Sequence, residues 1–143
     1  MHSADNYSLH NYGQMINDRR RSGPFVEALR TLIKPDTVVL EIGTAAGYFA
    51  LLCAKLGARR IYAVEPDNAI EVAKLCAADN VRSDRITWIK GLSTEISLPE
   101  RVDLVLGDLH GTLPFYNHNI ESMVDARQRH LKLGGTIVPM RDV

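Results

Sequence analysis

Five short apolar runs, at residues 37–42, 60–64, 85–89, 102–106 and 136–138, alternate with stretches of helical spacing, and this alternation constrains the fold more than any other feature. Each run is β-branched and nearly continuous, the pattern of a strand buried on both faces of a parallel sheet. Strands that alternate with helices need crossover connections of one hand, so the expected fold is α/β, with a doubly wound parallel sheet and helices on both faces. In such sheets a ligand lies beyond the carboxyl ends of the strands, where the strand order reverses, here between the first and fourth strands. Chemistry is therefore expected in the loops at 43–47, 65–68, 91–95 and 107–117.

The intervening helices follow from periodicity and punctuation. Residues 22–33 carry an apolar stripe from Phe25 to Ile33, with Pro24 in the first turn. Residues 48–56 end at Gly57, and in residues 69–78 Ile70, Val72, Ala73, Leu75 and Cys76 form the expected buried face. A last helix covers residues 119–130, with Gly134-Gly135 read as its terminator. At 143 residues the chain holds one such core. Lys+Arg and Asp+Glu balance at 17 each, so net charge implies no nucleic-acid partner. The longest uncharged stretch, residues 42–54, is too short to span a bilayer, and MHSADNYSLH lacks the basic-then-apolar order of a signal peptide. A cytoplasmic location with no membrane partner is expected. Cys53 and Cys76 have no metal-ligand spacing and are expected to be buried thiols.

Glu41-Ile-Gly43-Thr-Ala45-Ala-Gly47 closes the first strand. Small residues there let a ligand touch the backbone, while the next helix offers its unpaired N–H groups. The dinucleotide fingerprint GxGxxG would need glycine at 48, which is Tyr48, so a nicotinamide or flavin is disfavoured. The loop has no lysine and is not a P-loop. Glu65 ends the second strand, where a carboxylate can accept hydrogen bonds from both hydroxyls of a ribose, and a nucleoside is the economical ligand. The plainer alternative is that Gly43 and Gly47 make a tight turn and Glu65 caps the following helix.

These residues resemble the first motif of class I S-adenosylmethionine-dependent methyltransferases, an acidic residue followed by GxGxG, with Ala45 for the middle glycine. More narrowly, the chain is similar to the Rossmann domain of protein arginine methyltransferases. Asn11-Tyr12-Gly-Gln-Met15-Ile-Asn-Asp18-Arg-Arg-Arg21 is similar to that family's N-terminal Tyr…Met-Leu-x-Asp-x-x-Arg element. The resemblance implies a Rossmann-like sheet of order 3-2-1-4-5, with residues 1–23 as a cofactor-covering helical segment and 24–143 as the cofactor-binding domain. It implies S-adenosyl-L-methionine as cofactor, held by Arg21 at the carboxylate, by Glu41, Gly43 and Gly47 at the first motif, by Glu65 at the ribose, and by Ser93 and Thr94 at the adenine edge. Glu95 is an alternative at that edge.

After the fourth strand the resemblance implies two carboxylates nine residues apart that bind a substrate guanidinium. The matching positions are Asp108 and Asn117, within a loop that keeps Gly111, Phe115 and Tyr116. An amide at 117 removes one charge-assisted contact, which leaves Asp108 to orient an amine or hydroxyl nucleophile with His110 or His118 as a proton acceptor; the expected acceptor is a protein arginine or a small molecule, methylated on a nitrogen or, in a small molecule, an oxygen. The family's β-barrel follows the Gly-Gly-Thr-Ile-Val-Pro stretch and is absent from these residues, which raises either a missing domain or a homodimer partner. The competing readings are a non-catalytic cofactor-binding module or partner subunit, and a small-molecule methyltransferase.

Overall fold

The computed structural model describes residues 8–80, 82–109 and 118–140. The element order is α1 (Leu9–Asn17), α2 (Arg19–Leu32), β1 (Val38–Ile42), α3 (Tyr48–Leu56), β2 (Arg60–Glu65), α4 (Ala69–Ala78), β3 (Ile86–Lys90), β4 (Val102–Gly107), α5 (Asn119–Arg129) and β5 (Leu131–Val138), with a 3-10 turn before β3. All strand pairs are parallel and the order is β3-β2-β1-β4-β5, as expected. β1 is buried at every position, which is why its run shows no polar alternation.

Strand parity sorts the core into two layers. Val39, Ile61, Ala63, Leu104 and Leu106 face one way and pack with Leu29 of α2 and Ala50, Cys53 and Ala54 of α3. Val38, Leu40, Ile42, Tyr62, Val64 and Val105 face the other way and pack with Ala126 of α5. Glu41 shares the parity of Val39, so its carboxyl group is directed toward the α2/α3 side at the carboxyl end of β1.

Three local expectations are corrected. α2 begins at Arg19 rather than residue 22, which leaves Pro24 inside the helix, because Asp18 caps it: the Asp18 carboxylate accepts from Arg20 N at 3.0 Å. α4 buries Ile70, Ala73 and Ala77, a stripe at i, i+3, i+7; Leu75 and Cys76 fall outside it and are exposed, so only Cys53 is a buried thiol. Gly134 and Gly135 do not end a helix. α5 stops at Arg129, and both glycines lie within β5, where the pairing shifts from Val102↔Leu131 to Leu104↔Thr136. A Cβ on Gly135 would lie 2.5 Å from Leu131 Cδ1 and 3.0 Å from the Asp103 carbonyl, so glycine is what allows the irregularity to close over Leu131.

Candidate functional site

The register Ile42↔Gly107 places the ends of β1 and β4 side by side, and the loops that follow them diverge at the reversal of strand order. A cleft opens there, lined by Tyr12, Met15, Ile16, Arg21, Ser22, Glu41, residues 43–46, Tyr48, Phe49 and Asp108.

Arg21 reaches the cleft because of the corner at Asp18. The Asp18 N–H donates to the Gln14 carbonyl and ends α1, its side chain starts α2, and Arg21 N and Ser22 Oγ both donate to its carbonyl. One residue therefore turns the chain so that α1 covers the opening with Tyr12, Met15 and Ile16 while the first turn of α2 presents Arg21. Arg21 Nη2 donates to Asp108 Oδ1 at 2.8 Å, with the side chains 28% and 20% exposed. α2 is held against α3 by Phe25 and Phe49, whose ring centroids are 5.2 Å apart.

Glu41 forms the floor. It is 3% exposed, and Thr44 Oγ1 donates to its Oε2 at 2.7 Å. Burial pushes its carboxyl group up to about 7; the Thr44 hydroxyl works against this, and the Asp108 and Glu65 carboxylates reinforce it. Glu65 stitches two loops together, accepting from Ala45 N at 2.9 Å on Oε2 and from Asp67 N at 3.0 Å on Oε1. Burial raises its pKa, against the lowering effect of those two backbone donors. An ionised carboxylate has about four acceptor sites, so each Glu65 oxygen keeps capacity for one more donor.

The glycine loop is built by left-handed backbone at Gly43 (φ 74°), Ala45 (φ 49°) and Gly47 (φ 83°). A Cβ on Gly43 would lie 2.6 Å from Leu109 Cδ2. One on Gly47 would lie 2.8 Å from Trp88 Cη2 and 2.9 Å from Ala73 Cβ, so Gly47 supplies the close helix-to-strand approach that Tyr48 cannot.

Arg21, Glu41, Gly43 and Asp108 are thus brought to one cleft. Gly47, Glu65, Ser93 and Thr94 lie outside its lining, and Asn117 and His110 fall outside the described residues. Ser93 is buried and Thr94 and Glu95 are exposed on the loop after β3. Arg129 of α5 fastens that loop by donating to the carbonyls of Ser93 (3.0 Å) and Ile96 (2.8 Å). His118 is exposed, pairs with Glu121 at 2.8 Å and does not line the cleft. The residue reading gave no role to Thr44, Ile16 or Arg129. Thr44 was recognisable as the hydroxyl three residues after a buried acid; nothing in sequence marks Arg129.

A parallel sheet of order 3-2-1-4-5, a left-handed small-residue loop after β1 and acids closing β1 and β2 define a class I methyltransferase-type Rossmann domain. The chain belongs to the family described as ribosomal protein L11 methyltransferase (PrmA), whose profile matches residues 25–139. It is also 33% identical to protein arginine N-methyltransferase 1 of Chlamydomonas reinhardtii over 145 residues, covering 96% of this chain and 42% of that protein. Among solved structures it is similar to protein arginine methyltransferase 10 of Arabidopsis thaliana, with a TM-score of 0.85 at 30% identity, covering 92% of this chain and 38% of that one. A Trypanosoma brucei PRMT1 enzyme-prozyme heterotetrameric complex with AdoHcy matches with a TM-score of 0.84 at 28% identity, over 94% and 43% of the two chains. The chain spans less than half the length of each of these relatives.

Proposed function

We propose that this chain is the S-adenosylmethionine-binding part of a methyltransferase of protein arginine methyltransferase type, acting on a cationic nitrogen acceptor. The observation that carries the reading is the convergence of Arg21, Glu41 and Asp108 on one cleft at the strand-order reversal. The residues fit the cofactor. Gly43 brings bare backbone to the cleft lining, Glu65 keeps acceptor capacity for a ribose, and Arg21 offers a planar fork for a carboxylate. Ser93 and Thr94 are assigned to the adenine edge and Gly47 to the loop geometry. S-adenosylmethionine, when bound, supplies a methyl group on a sulfonium, whose S–C bond breaks as the acceptor nitrogen's lone pair forms the new bond and the acceptor sheds a proton.

The chain's own task is to hold donor and acceptor aligned, which can account for several kcal/mol of the barrier. α1 lines the mouth of the cleft with Tyr12, Met15 and Ile16. Glu41, when ionised, would present negative charge at the floor of the cleft to a bound sulfonium, and Asp108 would orient the acceptor cation by a charge-assisted hydrogen bond. Asn117 is assigned to the same acceptor, as a neutral contact. We further propose that a β-barrel or a partner chain completes the acceptor site, and that the protein works in the cytoplasm.

Calorimetric titration with S-adenosylmethionine and S-adenosylhomocysteine, on the wild type and on Glu65→Ala and Arg21→Ala, tests the reading. Binding by the wild type and its loss in both variants, with the fold retained, supports the site. Unchanged affinity in both variants removes it.

A further inference from the structure

The turn assigned to the adenine edge is gripped by the last residue of α5. Arg129 makes four hydrogen bonds: Nε and Nη2 donate to the two carboxylate oxygens of Asp125 at 2.7 and 2.6 Å, Nη2 also donates to the Ser93 carbonyl at 3.0 Å, and Nη1 to the Ile96 carbonyl at 2.8 Å. Asp125, one helical turn earlier, therefore orients the guanidinium plane, and the guanidinium in turn holds the Asp125 carboxyl group below its usual range. The gripped segment is a closed turn, with Glu95 N donating to the Leu92 carbonyl at 3.0 Å and Ser93 and Thr94 at its two central positions. Gly91 N donates to the Glu65 carbonyl at 3.1 Å, which ties the same segment to the residue proposed to hold the ribose.

We propose that Arg129 is a positioning residue for base recognition: by holding the Ser93 and Ile96 carbonyls it sets the turn so that the Thr94 N–H meets the N1 acceptor of the cofactor's adenine. This rests on the proposed function and deepens it. A peptide group is planar and trans, so its C=O and N–H point in opposite directions. With the Ser93 carbonyl drawn onto Nη2, the Thr94 N–H is directed away from Arg129, and it donates to no other described residue. It cannot turn elsewhere without giving up a charge-assisted bond, and the second anchor at Ile96 keeps the turn from swinging as a whole. Thr94 lies three residues beyond the tie to Glu65, so it suits the edge of the base remote from the ribose, which carries N1, rather than N3 beside the glycosidic bond. A fixed N–H selects by polarity: it favours an acceptor and rejects a donor that would leave both groups unpaired.

The full chain is titrated calorimetrically with S-adenosylhomocysteine and with S-inosylhomocysteine, whose base carries N1–H and a carbonyl oxygen where adenine has the N1 acceptor and an amino group. The wild type is expected to prefer the adenine ligand by about tenfold or more, since the other sets a donor against a donor. Arg129→Met keeps an apolar stem and no donors, and should cut that preference by about fivefold or more. A general loosening of the fold weakens both ligands alike and leaves their ratio unmoved, so the ratio reports positioning. Arg129→Lys, a single point donor in place of a fork, should show an intermediate preference, and it decides the matter if the methionine variant does not fold. A preference in the folded Arg129 variants equal to that of the wild type, or a wild type that binds both ligands equally, overturns the positioning role while leaving the proposed function intact. A folded wild type that binds neither ligand overturns the proposed function itself, and the positioning role with it.

Discussion

The Thr44 hydroxyl donates to the Glu41 carboxylate at 2.7 Å beneath the glycine loop, satisfying one oxygen of an acid that is almost wholly out of water. Burial nevertheless outweighs that bond and holds the Glu41 pKa at about 7, against a reference of 4.5. The folded state therefore binds this proton more tightly than the unfolded state between those values. Stability falls as pH rises from about 4.5 to about 7 and levels off above, with a total on the order of 3 kcal/mol. Glu41→Gln keeps an acceptor for Thr44 and cannot ionise. The difference in urea midpoint between wild type and Glu41→Gln should widen in favour of the variant across that window. A difference that stays constant from pH 4.5 to 8 would show that Glu41 does not titrate there.

The same group predicts how ligand affinity changes with pH. A sulfonium bound as proposed, over the floor of the cleft, would be held better by an ionised Glu41, whereas the neutral thioether of S-adenosylhomocysteine would gain less from that charge. The affinity of S-adenosylmethionine relative to S-adenosylhomocysteine should therefore rise from pH 6 to pH 8, by up to about tenfold for a group titrating near the middle of that range. Paired calorimetric titrations at the two pH values measure the ratio. In Glu41→Gln the ratio should not move, and a wild-type ratio equally immobile would place the sulfonium away from Glu41.

Ala45 stands where the motif of similar methyltransferases has glycine, and it adopts φ 49°. A left-handed L-residue costs roughly 1–2 kcal/mol, while glycine gives back about 0.4–1 kcal/mol through the freedom of the unfolded chain. Ala45→Gly should therefore stabilise the fold by about 0.5–1 kcal/mol. It leaves the backbone N–H that donates to Glu65 in place, so cofactor affinity should hold. Chemical denaturation reads the first effect and calorimetry the second. A loss of stability would mean that the methyl group has contacts worth more than the backbone strain.

The sheet was legible because its signal is carried by each run separately: residues 38–42 are apolar apart from Glu41, and that exception is the acid that reaches the cleft. Which residues form the floor and rim at the ends of β1 and β4 was likewise readable, since strand order fixes where Gly43 and Asp108 emerge. Contacts between distant segments were not. Nothing local to Arg21 announces Asp108, and nothing local to Arg129 announces the carbonyls of Ser93 and Ile96. Gly134 and Gly135 misled for a related reason: glycine after a helical stretch reads as a stop, and only the packing of Leu131 shows why glycine is needed inside β5. Pro24 misled because a side-chain cap at Asp18 outweighs a proline's preference for the first turn.

Gly47 sits two residues beyond Ala45 and predicts the opposite sign. Its φ of 83° already penalises any side chain, by roughly 1–2 kcal/mol. A Cβ would also press within 2.8 Å of the Trp88 ring and 2.9 Å of Ala73, and overpacking of this kind costs roughly 1–3 kcal/mol. The reduced freedom of the unfolded chain offsets only about 0.4–1 kcal/mol. Gly47→Ala should therefore destabilise by about 2–4 kcal/mol in urea denaturation. The two causes separate in a double-mutant cycle, because Trp88→Leu removes the ring but not the backbone strain. Gly47→Ala should cost less in the Trp88→Leu background than in the wild type. An equal cost in both would assign the whole effect to backbone conformation and remove the close packing of α3 on β3 as the reason for glycine at this position.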